Sequence, residues 1–292
     1  MFEGVYTALI TPFRDGEVDY DSLDRVIEHQ IQGGVTGVLP MGTTGESPTV
    51  SHDEHITIIR HVIGRVNGRG RVLAGTGSNS TTEAVYLSQE AEKAGADAVL
   101  LVNPYYNKPP QRALVEHFAA VADAVNVPVV LYNIPGRTGI NFLPESVEKL
   151  CKRCDNVVAI KEASGSIQQM MEVKERLGDR IALMSGDDNL TLPVLAVGGT
   201  GVVSVLSNII PADVVRIVQD YRSGDVDKAR DAFFKLLPLC RMMFLETNPI
   251  PIKAAMAKAG FCTGEIRKPL LRLTDENEAK LMEAFTAYGA PL

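Results

Sequence analysis

Four cysteines in a chain of 292 residues do not make a disulfide framework, so the fold must be held by its core. At this length a compact chain buries roughly 75% of the surface its unfolded form exposes, and no metal or disulfide staple is needed. Positive charge is not in excess: the net charge of −7 argues against a nucleic-acid partner. No apolar run approaches the ~20 residues that cross a bilayer. The segment Gly4–Ile10 follows Met1 closely, without a basic n-region or a small-residue cleavage site, so the cytoplasm is the expected location. Linkers, low-complexity tracts and strict repeats beyond the βα unit are also missing. What remains is ordinary globular composition, 45% hydrophobic and 22% charged with 25 Gly and 16 Pro, at a length for one barrel-sized domain or two smaller ones.

Short apolar runs rich in β-formers recur along the chain. They are Val5–Ile10, Gly37–Met41, Val72–Gly75, Ala98–Val102, Val127–Tyr132, Val157–Ile160, Ile181–Met184 and Val202–Leu206. Most are continuously apolar rather than alternating, the mark of strands buried on both faces of a parallel sheet. Eight such runs alternating with helical patterns predict an α/β fold, a (β/α)8 barrel, although a doubly wound open sheet also fits the alternation.

Helix signals stand between the runs. Ser51–Glu54 and Ser80–Glu83 both fit the S-x-x-E capping box. Leu23, Val26, Ile27 and Ile31 form a core-facing stripe stopped by Gly33-Gly34, and Gly95 and Gly178 close two later helices. After the eighth run the pattern is wholly helical, at Ala212–Arg222, Val226–Leu245, Ile252–Ala259 and Asp275–Tyr288. One of these completes the barrel, which leaves about three appended helices. The expected division is a barrel over residues 1–223 and a helical extension over 224–292.

In such barrels the reactive groups sit at the C-terminal ends of strands and in the loops that follow. The sixth run ends at Lys161-Glu162. A lone lysine there is commonly a solvated strand end. A nucleophilic amine needs the opposite, a partly dry site favouring the neutral form over the usual pKa of about 10.4. The fifth run ends at Tyr132, where packing competes with catalysis as an explanation. Arg137 follows in a loop bounded by Pro135 and Gly139, either solvated or offering its donor fork to a carboxylate. The second run leads into Gly42-Thr43-Thr44-Gly45-Glu46, an ordinary turn or one whose N–H groups and hydroxyls suit an anion. The fourth leads to Tyr105-Tyr106 among prolines, a stiff aromatic surface as readily as a catalytic pair.

Taken together, Gly42–Glu46, Tyr105-Tyr106, Tyr132–Gly139 and Ile160–Ala163 resemble the dihydrodipicolinate synthase family of pyruvate-dependent class I aldolase-type lyases. The resemblance runs in order and spacing from Gly4 to about Ser207, with a similar helical tail. It implies condensation of pyruvate with L-aspartate 4-semialdehyde in the diaminopimelate and lysine pathway. It assigns Lys161 to the imine, Tyr132 to proton transfer, and Thr43 to a hydroxyl relay from Tyr132 to Tyr106. Tyr106 would reach into a neighbouring subunit, in a homotetramer built as a dimer of dimers, the usual form of the family, or in a dimer, which also occurs. Thr44 would hold the pyruvate carboxylate and Arg137 that of the semialdehyde, while Gly186 and Val203 would border the substrate pocket. Isoleucine is also common at the Val203 position, so valine there is a mild departure.

The chemistry is coherent by itself. A protonated imine withdraws electrons, the pyruvate methyl loses a proton, and the enamine attacks an aldehyde. This needs neither cofactor nor metal. Tyrosine's ordinary pKa of about 10 is far from neutral, so a hydroxyl chain would act by positioning.

Ser47, His52, His55, Asn79, Glu83 and Tyr105 match a pocket for L-lysine in lysine-sensitive members of the family. Feedback inhibition by L-lysine is therefore expected, with Glu83 on its amino groups and Pro48 beside the pocket. Read without the family, His52 and His55 are two surface histidines in the first turn of a helix.

Cys151 and Cys154 form C-x-x-C with no second pair or histidine to complete a zinc site. Gly198–Gly201 precedes a strand, the wrong end for a phosphate site. Met242, Met243 and Met256 read as core or interface filling. The competing functions are an N-acetylneuraminate or 2-keto-3-deoxy sugar acid lyase of the same superfamily, and a non-catalytic metabolite-binding barrel. Arg137 and the doubled threonine favour two carboxylates over a polyol.

Overall fold

The computed structural model describes residues 2–290 and Leu292. Among these, eight parallel strands close into a barrel. They are β1 Gly4–Ala8, β2 Gly37–Leu39, β3 Arg71–Gly75, β4 Ala98–Val102, β5 Val129–Asn133, β6 Val157–Glu162, β7 Ala182–Ser185 and β8 Gly201–Ser204. Each pairs with the next, and β1 closes the ring on β8. The open-sheet alternative is thereby excluded.

The helices that follow these strands are α1 Tyr20–Gln32, α2 His52–Val66, α3 Thr81–Ala94, α4 Gln111–Ala122, α5 Pro144–Arg153, α6 Ile167–Leu177, α7 Thr191–Ala196 and α8 Pro211–Arg222. Three more come after them: α9 Val226–Met242, α10 Ile250–Lys258 and α11 Asp275–Tyr288. Helix α9 packs on α8, and α11 on α9 and α10. A two-stranded antiparallel ribbon joins Phe13–Arg14 to Glu17–Val18.

Alternation along the strands divides the core in two. Tyr6, Leu39, Leu73, Leu100, Val130 and Ala159 belong to a cluster made by strand residues, which fills the barrel. Val38, Val72, Leu101, Leu131, Ile160 and Leu183 join the helices in an outer cluster. Both faces are apolar, which explains the continuous hydrophobic runs.

Several boundaries move for local reasons. Strand β5 begins at Val129 instead of Val127, because Pro128 has no N–H to give the ladder and supplies only its carbonyl, to Val99 N. Strand β8 stops at Ser204 instead of Leu206, because the Asp188 carboxylate takes the N–H groups of Val205 and Leu206 at 2.9 and 3.0 Å. Helix α9 ends at Met242, three residues before Leu245, in a turn where Phe244 N reaches Arg241 O. Helix α10 starts at Ile250, two residues early, since Pro251 sits in the first turn, where no N–H is required.

Capping follows the same logic. Ser51 and Glu54 make both bonds of a capping box at the start of α2. At α3 only half of the expected box forms: Ser80 accepts from Glu83 N, while the Glu83 carboxylate turns to His52. Gly199, before β8, and Gly201, its first residue, serve close packing, since a Cβ on Gly201 would lie 1.9 Å from Gly4 O and one on Gly199 2.4 Å from Val194 Cγ1. Gly33 ends α1 and also makes room for α8, because a Cβ there would meet Pro211 Cγ at 2.3 Å.

Cys151 and Cys154 are buried free thiols, and burial pushes Cys151 up to about 11. Met243 and Met256 are fully buried in the core. Among the described residues no helix is long and apolar enough to cross a membrane.

Candidate active site

Strand alternation decides which side chains face the barrel interior at its mouth. Val130 and Tyr132 share one face of β5, and Ala159 and Lys161 share one face of β6. Tyr132 and Lys161 are register partners on these adjacent strands. The Lys161 Nζ lies 4.0 Å from the centroid of the Tyr132 ring, and both residues are 5% exposed. Lys161 is therefore an inward-facing strand residue and not a solvated strand end.

The next register pair, Asn133 and Glu162, has the opposite parity. The Asn133 Nδ2 donates to both Glu162 oxygens at 3.2 and 3.0 Å, and Ser164 N and Gln169 Nε2 also donate to this carboxylate. Burial raises the Glu162 carboxyl above its ordinary range, against these bonds. This network braces β5 and β6 just behind Tyr132 and Lys161.

Two buried lysines invite comparison. Lys253, 1% exposed, is ion-paired with Glu46 and donates to Glu265 O at 2.6 Å. Burial lowers its pKa, with Glu46 opposing. Its amine is committed to these partners. Lys161 makes no ion pair with a carboxylate among the described residues. Asp187 and Asp188 both feel its charge: burial raises the Asp187 carboxyl to about 6 and that of Asp188 above its ordinary range, with Lys161 pulling the other way in each.

The turn after β2 holds the anion-binding candidates. Gly45 N and Ser47 N return to Gly42 O, and Glu46 N to Thr43 O. The N–H groups of Thr43 and Thr44 have no partner among the described residues. The left-handed residues are Met41 and Glu46, both at φ 57°, and not the glycines. Gly45 is needed for space, since a Cβ would lie 3.1 Å from Met41 N and 3.3 Å from Leu9 O. Thr44 is buried, and its Oγ1 accepts from Asn248 Nδ2 at 3.0 Å. Arg137, in a helical turn at Pro135–Thr138, donates from Nη2 to Asn248 O at 3.0 Å.

A cavity of about 530 Å³ opens at the strand ends. Thr43, Tyr132 and Arg137 line it, and so do Ser47, His52, His55, Glu83 and Tyr105, with Pro48. The two sequence-derived constellations thus share one space within the chain. Lys161, Thr44, Asn79, Tyr106, Gly186 and Val203 are not part of that wall. Val203 is buried inside the barrel and Gly186 N donates to Glu162 O at 2.8 Å. A Cβ on Gly186 would meet Ala163 Cβ at 2.6 Å. Asn79 faces the Tyr105–Asn107 loop, its carbonyl accepting from Asn107 Nδ2 at 2.8 Å.

Tyr106 is 91% exposed and left-handed at φ 69°. No hydrogen bond joins the hydroxyls of Tyr132, Thr43 and Tyr106 among the described residues. The histidines are not a surface pair. His52 is exposed and meets Glu83 Oε1 at 2.8 Å, but His55 is buried with Nε2 2.7 Å from Gly75 O. A carbonyl only accepts, so Nε2 carries hydrogen and Nδ1 is an acceptor. Burial lowers the His55 pKa, which keeps the ring neutral.

Asn248, Asp187, Glu46 and Lys253 escaped the sequence reading as site residues. Glu46 stands inside a motif quoted for its threonines and Asp187 directly follows Gly186, whereas Asn248 and Lys253 lie in the helical tail with no local signal.

The Dihydrodipicolinate synthetase family model matches residues 1–288. The 4-hydroxy-tetrahydrodipicolinate synthase of Pelobacter propionicus is 53% identical over 289 residues, covering 99% of both chains. The crystal structure of the dihydrodipicolinate synthase of Aquifex aeolicus is 45% identical, covers 100% of this chain and 99% of its own, and superposes with a TM-score of 0.98. That of Cyanidioschyzon merolae, with lysine bound, is 42% identical over 99% of both chains with a TM-score of 0.96. The chain belongs to the dihydrodipicolinate synthetase family and is a lyase of the class I aldolase superfamily.

Proposed function

We propose that the 4-hydroxy-tetrahydrodipicolinate synthase reaction, joining pyruvate to L-aspartate 4-semialdehyde, runs in this chain through an imine at Lys161. The observation that carries this reading is the inward pair of Lys161 and Tyr132, with the amine 4.0 Å from the ring centroid. The Lys161 amine attacks the keto carbon of pyruvate and water leaves. The protonated imine then draws electrons from the methyl group, whose proton departs to give an enamine. The enamine carbon bonds to the aldehyde carbon, and the new alkoxide takes a proton from the Tyr132 phenol. The amino group of the semialdehyde then displaces Lys161 from the imine carbon, closing the ring and freeing the enzyme.

The unpartnered N–H groups of Thr43 and Thr44 suit the pyruvate carboxylate, and Arg137 suits the second carboxylate. The exposed Tyr106 supports a role at a neighbouring subunit's site, which makes a homo-oligomer the working form. A steady-state assay tests the reading: pyruvate with aspartate semialdehyde against N-acetylneuraminate and 2-keto-3-deoxy sugar acids. Turnover of sugar acids alone would overturn it.

The shared cavity carries a second function. Glu83, the neutral acceptor His55 and Tyr105 present carboxylate, lone pair and phenol to an ammonium group, which supports binding of L-lysine as a feedback inhibitor.

A further inference from the structure

Asn248 lies in the loop between α9 and α10 and is 4% exposed. Its Nδ2 donates to Thr44 Oγ1 at 3.0 Å, and its peptide oxygen accepts from Arg137 Nη2 at 3.0 Å. One residue from beyond the barrel thus joins the two anion contacts, which come from different strand ends. Its Oδ1 is buried and has no partner among the described residues.

A hydroxyl carries one hydrogen and two lone pairs. The Asn248 amide hydrogen occupies a lone pair of Thr44 Oγ1 and cannot accept in return. Thr44 makes no other side-chain hydrogen bond among the described residues, so its hydrogen is free to be given away. A hydroxyl held this way is a preset donor, whereas a freely rotating one would lose part of its time to other orientations. The bond to Arg137 comes from the peptide oxygen, so changing the Asn248 side chain leaves it in place.

We propose that Asn248 is a positioning residue for the reaction, acting through Thr44: it turns the Thr44 hydroxyl into a fixed donor for the carboxylate of pyruvate. This rests on the assignment of Thr44 to that carboxylate. Asn248→Asp is nearly isosteric but places an acceptor and a negative charge against Thr44, where it would draw the hydroxyl hydrogen to itself. Its effect should exceed that of Asn248→Ala.

The test is the pyruvate dependence of imine formation, read as borohydride inactivation, in five proteins. These are the parent chain, Asn248→Ala, Asn248→Asp, Thr44→Val and the Thr44→Val/Asn248→Ala double variant. Asn248→Ala should raise half-saturating pyruvate about fivefold to tenfold, with a smaller change in kcat and in the semialdehyde KM. Asn248→Asp should raise it further, and in the Thr44→Val background Asn248→Ala should add nothing. Equal losses in both Thr44 backgrounds, or an Asp variant equal to the parent, would overturn the proposal. Thr44→Val with unchanged pyruvate affinity would also overturn it, since the carboxylate would then be held by the N–H groups of Thr43 and Thr44 without the hydroxyl. The near-isosteric Asp variant keeps the test decisive if the Ala variant fails to fold.

Discussion

Tyr132 and Lys161 are register partners on neighbouring strands, with the amine of one 4.0 Å from the ring centroid of the other. Parallel strands in register place same-parity side chains on one face. The geometry therefore follows from the closed sheet and does not depend on a flexible loop. The braced pair Asn133–Glu162, of opposite parity, holds the same two strands from outside. Placing a reactive group on a strand and its support on the next parity fixes the site without ordering loops first.

Arg137→Ala should lower kcat/KM for the semialdehyde by about a hundredfold to a thousandfold, the loss of a charge-assisted contact. Pyruvate imine formation should change far less. Separate measurement of the two half-reactions checks this, and equal losses in both would remove the assigned role.

The Lys253–Glu46 pair is almost completely buried, on opposite sides of the boundary between the β2 turn and the tail. Removing one partner strands the other charge in a dry site. Lys253→Met alone should therefore destabilise the fold by about 3–5 kcal/mol. The Lys253→Met/Glu46→Leu pair should recover most of that loss. Urea unfolding of the single and double variants reads both values, and additive losses would mean the charges do not interact.

Asp187 gives a pH signature. Its carboxyl rises from 3.8 to about 6 because burial opposes ionisation, so the folded state holds the proton more tightly than the unfolded one. The stability from that proton is complete below 3.8 and is lost as pH rises through about 6. Asp187→Asn should thus be the more stable protein near neutral pH, by about 1–3 kcal/mol. The gap should narrow on acidification, and unfolding curves at several pH values measure it. A gap that widens in acid would reverse the sign of the burial effect.

Activity should fall as L-lysine is raised to millimolar concentration, and Glu83→Gln should weaken that inhibition about tenfold or more. Initial rates across a lysine titration decide the matter. Full activity at millimolar lysine would remove the feedback role of the cavity.

The barrel was legible because strands buried on two faces read as unbroken apolar runs, and eight of them alternate with capped helices. The placement of Lys161 and Tyr132 at strand ends was legible too. Which parity faced inward was not, since Leu131 and Val130 are equally apolar. His55 looked like a surface residue because its place near the start of α2 says nothing about Gly75, whose carbonyl it meets. Asn248 was invisible because its partners stand 204 and 111 residues away. Only the return of the chain after α9 brings it to the mouth.

The nucleophile is the Lys161 amine and not that of the ion-paired Lys253, and borohydride reduction in the presence of pyruvate, followed by peptide mapping, separates the two. The reduced pyruvyl group should be found on Lys161, and Lys161→Ala should lose about a thousandfold or more in kcat. A label on any other lysine, or full turnover by the alanine variant, would contradict the account.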